Sequence, residues 1–181
     1  MKKMKIGIFI GLFLVLFSCI DTKKQAHLDQ LTTLDKRIDS IQVEFEELKK
    51  DTISEILYKM MEVNTKIKGN IEDDTIGLSI AKKLETYGLI YRKLSSLEGY
   101  NEKILFGSQK AKNSIENLHK DIQEGNGARI NYAKFVAFET KKVNELQTLL
   151  LDMEKLQHQG VSDYLSIRTS VENFANSLSK E

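Results

Sequence analysis

The sequence predicts an all-α protein, an elongated antiparallel three-helix bundle of coiled-coil type, and three observations predict it. The 181 residues contain no proline, so the strongest helix breaker is missing. Apolar residues recur at alternating spacings of three and four, the pattern of an amphipathic helix stripe. Two turn clusters, Gly69-Asn70 and Gly125-Asn126-Gly127, divide the body into segments of about 45–50 residues, each ~70 Å long if straight. One such segment alone leaves its stripe in water, whereas three packed at crossings near +20° bury all of them.

The chain opens on a basic stretch with Lys2, Lys3 and Lys5, then runs from Ile6 to Phe17 with only apolar side chains and glycine. That order matches a secretion signal. At ~1.5 Å per residue, Ile6 to Ile20 reaches only ~22 Å, short of the ~30 Å hydrocarbon core, which disfavours a transmembrane helix. The stretch closes on Leu16-Phe17-Ser18-Cys19, and Cys19 is the only cysteine.

Leu16, Ser18 and Cys19 resemble the lipobox of bacterial lipoproteins. Phe17 departs from the small residue of the strictest version and is similar to the looser lipoboxes of Bacteroidota and spirochaetes. The resemblance implies cleavage that removes residues 1–18 and a diacylglycerol thioether on Cys19, whose thiolate is the nucleophile such chemistry requires. Acylation of the new amino group would remove its charge, and two or three acyl chains hold a protein stably in a membrane. Cys19 is then unavailable for a disulfide, so packing alone must stabilise the body.

Residues 19–25 are expected to form the lipidated N-terminus and a short polar tether, and residues 26–181 the helical domain. Ile20 is not the aspartate that resembles an inner-membrane retention signal, and Asp21 is followed by Thr22, Lys23 and Lys24 instead of an acidic surface-export cluster. By resemblance, the expected place is the outer membrane, facing the periplasm.

The first segment carries Leu31, Leu34, Ile38, Ile41, Phe45 and Leu48, then shifts by one residue and continues through Ile53, Ile56, Met60, Val63 and Ile67. One continuous helix with a drifting stripe accounts for that shift. Gly69-Asn70 supplies its stop, and Glu72-Asp73-Asp74 suits the start of the next helix. The second segment holds Ile76, Ile80, Leu84, Tyr87, Tyr91 and Leu94, with the phase returning as Leu105, Ile115, Leu118 and Ile122. Its middle contains Gly99 and Gly107. A kink or break near Gly99, with Asn101 as N-cap, is one reading; a continuous helix is the expectation adopted.

After the turn at 125–127, the third segment keeps its spacing through Tyr132, Val136, Glu139, Val143, Leu146, Leu150, Met153, Gln157, Gly160, Tyr164, Ile167, Val171, Phe174 and Leu178. A helix kinked but continuous at Gly160 is expected. Breaks at both Gly99 and Gly160 would instead give a more compact five-helix fold. The acid-before-base pairs Glu46/Lys50, Glu55/Lys59, Glu62/Lys66 and Glu116/Lys120 read as solvated helix faces, worth ~0.2–0.5 kcal/mol each.

Composition narrows the function. Residues 1–18 hold three lysines and no acid, so their removal takes the formal net charge from +1 to near −2, with both signs interleaved. No nucleic-acid footprint is present. His27, His119 and His158 lie in three different segments without the i, i+4 spacing of a metal pair. Glu72-Asp73-Asp74 lacks the alternating ligands and central glycine of a calcium loop. Met60, Met61, Met153, Tyr87, Tyr91 and Tyr164 sit at core spacing rather than in a cofactor box. There is no Gly-x-Ser-x-Gly elbow and no phosphate loop. The sequence therefore predicts no catalytic residue, no metal and no cofactor.

Asp39-Ser40-Ile41, Asp51-Thr52-Ile53 and Asp74-Thr75-Ile76 resemble the O-glycosylation triplet of exported Bacteroidota proteins. Thr75 is the candidate acceptor, and a plain N-cap explains it equally. The whole chain is similar to small helical lipoproteins of Bacteroidota. The expected role is a non-catalytic interaction or scaffold module, anchored to the membrane by acyl chains and binding an envelope protein. Tyr100, Phe106 and Arg129 are candidate exposed contacts. A surface-exposed adhesin or host-factor binder is one alternative, and a small-ligand carrier or envelope enzyme another. The oligomeric state stays open.

Overall fold

The computed structural model describes residues 22–48, 52–71 and 76–178 in full, and the preceding part of the first helix only as backbone. The chain is all-α, with three long helical stretches packing against one another as a bundle and no strand among the described residues. The elements are α1 (Lys3–Leu48), α2 (Thr52–Asn70), α3 (Leu78–Ser95), α4 (Leu97–Glu124) and α5 (Tyr132–Ser177), with a 3-10 turn at Arg129–Asn131. By contact they divide into two compact units, Met1–Gln42 with Phe106–Leu146, and Val43–Leu105 with Gln147–Glu181.

The first unit packs α1, α4 and the beginning of α5. Lys24 Nζ donates to the Gln123 carbonyl at 2.8 Å and Lys112 Nζ to Asp39 Oδ1 at 2.6 Å, so α1 and α4 run antiparallel. Lys142 opposite Ser114, 3.4 Å apart, makes α4 and α5 antiparallel as well. The core is Leu31, Leu34, Ile38 and Ile41 from α1, Ala111, Ile115 and Ile122 from α4, and Tyr132, Val136, Val143 and Leu146 from α5. Burying each large aliphatic side chain contributes about 1.5–3 kcal/mol. Thr22 to Gln25, expected within the tether, are helical.

The hairpin between α4 and α5 shows why glycine is needed there. Gly125 and Gly127 both have φ +76°, a backbone region closed to most side chains. The Gly125 N–H donates to the Ile122 carbonyl at 3.2 Å and the Asn126 N–H to the Asp121 carbonyl at 2.8 Å, the paired bonds of a Schellman stop. The buried Tyr132 then donates its hydroxyl to the Asn126 carbonyl at 2.6 Å.

The second unit packs the end of α1, α2, α3, the beginning of α4 and the rest of α5. Lys83 with Ser170 and Lys93 with Asp163 set α3 antiparallel to α5, and Lys66 of α2 donates to Asn176 of α5. Its core holds Phe45, Ile56, Met60, Ile67, Tyr87, Ile90, Leu94, Leu97, Ile104, Leu150, Met153, Tyr164, Val171 and Ala175.

The first segment comprises α1 up to Leu48 and α2 from Thr52; the expected continuity through the one-residue shift in spacing falls on residues 49–51, which lie outside the described residues. Three expectations are corrected. The second segment is interrupted at Ser96, not continuous and not broken at Gly99. Ser96 Oγ donates to the Lys93 carbonyl at 2.7 Å, the local competition with the backbone that weakens serine in helices. Asn101 consequently lies inside α4 instead of capping it. Helix α3 starts at Leu78 behind Gly77 with no acid in its first turn, so the acidic cluster, which lies outside the described residues, does not supply that turn.

The core phase of the second segment also differs. Leu105 is 45% exposed; in the first segment Met61, expected at core spacing, is 48% exposed. The buried or half-buried line is instead Tyr87, Ile90, Leu94, Leu97, Asn101, Ile104, Ser108, Ala111, Ile115, Leu118 and Ile122, an unbroken three-four spacing carried by two polar residues. Helix α5 runs unbroken through Gly160. That glycine is buried against Leu94, whose Cδ2 would collide with a Cβ there, and Gly107 similarly makes room for Leu146 Cδ2, 2.6 Å from where its Cβ would sit. Both glycines are sockets for leucine.

Candidate functional site: a groove between α1 and α5

In the first unit, α1 and α5 lie side by side and leave an open groove of about 700 Å³. One wall is His27, Asp29, Gln30, Thr33, Leu34 and Arg37 from α1; the other is Ala133, Val136, Ala137 and Thr140 from α5. The periodicity explains both walls. Leu34 and Val136 are buried core positions, and their neighbours one turn away form the rim. Alanines at 133 and 137, four apart, keep the α5 wall low.

The polar groups of the rim are partly spent. Thr33 Oγ1 donates to the Asp29 carbonyl at 2.9 Å and Thr140 Oγ1 to the Val136 carbonyl at 2.8 Å, so neither hydroxyl is poised as a nucleophile. Asp29 Oδ1 accepts from Gln25 Nε2 at 2.8 Å. His27 Nδ1 is buried without a partner, and Arg37 makes no ion pair among the described residues. The groove therefore offers a guanidinium and an imidazole above an apolar floor. No group of three or more metal-ligating side chains occurs among the described residues.

On the α4 side of α5, Glu139 is 6% exposed and accepts two bonds from Lys142 Nζ at 2.9 and 3.1 Å. The same ammonium lies 4.6 Å from the Phe138 ring centroid. This pair occupies a core position in the three-four spacing, where a buried ion pair fixes register more than it adds stability.

No protein family, curated protein or solved structure matches this chain. Its site must be read from its own residues.

Leu16, Ser18 and Cys19 lie in the part of α1 described only as backbone, and Thr75 lies outside the described residues. Tyr100 is half-buried in the second unit, while Phe106 is 69% exposed and Arg129 exposed in the first. Phe106 lies on α4 and Arg129 beyond its far end, with the intervening helix from 106 to 124 about 27 Å long, so they do not form one site. Among the described residues, no ion pair joins Glu55 to Lys59, Glu62 to Lys66 or Glu116 to Lys120; Lys66 reaches Asn176 on α5 instead. His27 and His119 belong to the first unit and His158 to the second.

Sequence reasoning passed over Thr33, Arg37, Ala133 and Ala137, because a rim is defined only once two helices are side by side. Alanines four apart beside a core valine were the available signal.

Proposed function

We propose that the protein is a lipid-anchored, non-catalytic interaction module of the bacterial envelope, which takes a helical segment of an envelope protein into the α1/α5 groove. The placement of Cys19 directly after a short apolar run carries the reading. A thiol at that point accepts a diacylglycerol chain, and further acylation makes the attachment effectively permanent. Among the described residues no helix is long and apolar enough to cross a membrane. The groove supports the second half of the proposal: helix-in-groove recognition needs an apolar floor with polar groups at the rim, and Leu34, Val136, His27 and Arg37 supply those elements. The outer membrane, facing the periplasm, is the proposed location.

Metabolic labelling and fractionation test the anchor. The parent chain incorporates labelled palmitate and sediments with membranes, whereas Cys19→Ala takes up no label and leaves the membrane fraction. Equal labelling of both would overturn the reading. A photo-crosslinking residue at position 33 is expected to capture an envelope protein from intact cells, with capture lost on Ala137→Arg.

A further inference from the structure

We propose that the reversal between α4 and α5 makes a second contact with the membrane, in which Ile130 enters the lipid interface while Arg129 and Lys134 meet phosphate groups. This contact rests on the lipid anchor at Cys19 and adds a surface that the anchor alone does not supply.

The register within the first unit sets the position. Lys24 Nζ on α1 donates to the carbonyl of Gln123 on α4, and the two helices are antiparallel, so residue 20, four before Lys24, stands level with residue 127, four after Gln123. Cys19 precedes Lys24 by five residues, ~7.5 Å of helix rise. The point of lipid attachment is therefore at the height of the reversal at 125–131. An acyl chain on that sulfur holds its attachment point at the bilayer surface, and the reversal comes with it.

The side chains exposed there suit lipid. Ile130 is 89% exposed, more than any other large apolar side chain among the described residues, in a reversal of the kind that polar residues ordinarily fill. An apolar residue just before a helix can staple onto the first turn that follows, with Phe135 as its counterpart here. At 89% and 46% exposed, the two do not bury one another. Folding gains almost nothing from this isoleucine.

Cations flank it. Arg129 lays its guanidinium over the reversal, 3.6 Å from where a Cβ on Gly125 would sit, and Lys134 lies in the first turn of α5; both are exposed, as is Lys23 on α1. The acids on the α4 side, Asp121 and Glu124, come before the glycines, and Glu124 accepts from Asn126 Nδ2 at 2.8 Å. An apolar tip between basic side chains is what a bilayer surface receives, the apolar group ~5–10 Å into the headgroup and acyl boundary and the cations at the phosphates. The bilayer is also the one surface that the anchor delivers to this place.

The chain contains no tryptophan, so Ile130→Trp puts a single fluorophore at the tip and Phe106→Trp puts one on α4, ~27 Å before the end of that helix. Each full chain, lipidated in the cell, is reconstituted into vesicles of phosphatidylethanolamine and phosphatidylglycerol and collected by flotation. Emission of Ile130→Trp is expected to shift to the blue and to fall about twofold when the acyl chains are brominated, as a ring ~5–10 Å deep requires. Phe106→Trp should keep aqueous emission. Adding Arg129→Glu and Lys134→Glu to Ile130→Trp should restore most of the lost intensity. Quenching that is absent at position 130, equal at positions 130 and 106, or unchanged by the two glutamates would overturn the proposal. So would a blue shift without bromine quenching, which would assign Ile130 to a protein contact. A chain that takes up palmitate and floats with position 130 unquenched defeats the tip contact alone; one that takes up no palmitate and stays off the vesicles defeats the anchor as well.

Discussion

Tyr87 is fully buried, its ring centroid 6.2 Å from that of Tyr164, and its hydroxyl has no hydrogen-bond partner. Burial raises both phenols above their ordinary range; the Tyr164 phenol and the Glu172 carboxylate add to the shift at Tyr87. At Tyr164, Glu172 adds to it and Arg168 opposes it. A phenol with a raised folded-state pKa stabilises fully below its unfolded value, near 10, and that contribution fades as pH climbs further. Denaturant midpoints of the parent chain should therefore fall above about pH 10, with a slope of ~1.4 kcal/mol per pH unit from Tyr87. Tyr87→Phe should flatten that part of the profile and raise stability at neutral pH by about 1 kcal/mol, since an unmatched buried hydroxyl disappears. An unchanged alkaline slope in Tyr87→Phe would contradict the assignment. Tyrosines at 87 and 164 were legible as core from spacing alone; that the Tyr87 hydroxyl would lack a partner was not, because it depends on what the opposing helix presents.

The helices separate glycines by purpose. Gly99 lies in α4 with nothing within 4 Å of where a Cβ would sit, whereas Gly160 of α5 receives Leu94. The same replacement should accordingly have opposite signs. Gly99→Ala gains helix propensity, up to about 1 kcal/mol, and Gly160→Ala loses about 1 kcal/mol net, because overpacking of ~1–3 kcal/mol outweighs that gain. Urea midpoints of the two variants read the difference, and Leu94→Val in the Gly160→Ala background should recover part of the loss. Spacing read Gly160 as a kink because a lone sequence does not reveal which leucine faces it. The interruption at Ser96 was hidden for a related reason. Asn101 and Ser108 hold core positions in the three-four line, so the apolar pattern is weak around Gly99, although the interruption itself falls at Ser96. Gln157 belongs with them: its polar side chain in the α5 spacing makes sense only when the end of α1 at Leu48, to whose carbonyl Nε2 donates at 3.0 Å, is in view.

At the scale of the whole molecule, the three-segment plan was legible because proline is absent and the turn at 125–127 is unambiguous. The α1/α5 groove was not, since two stretches about a hundred residues apart in sequence build it. The described core of the first unit begins at Leu31, well after the proposed anchor. A chain begun at Thr22 should thus keep its helical circular dichroism and a thermal midpoint within about 4 °C of the full chain, a shift corresponding to less than ~1 kcal/mol. A larger drop would mean that the preceding residues stabilise the fold and are not only an address and an anchor.

The hydroxyl of Tyr132, closed on the carbonyl of Asn126 between two left-handed glycines, gives the α4/α5 reversal an intrinsic reporter. Vibrational spectra of tyrosine respond to whether the phenol donates, so isotope editing at this one ring would follow the opening of the hairpin without any attached dye.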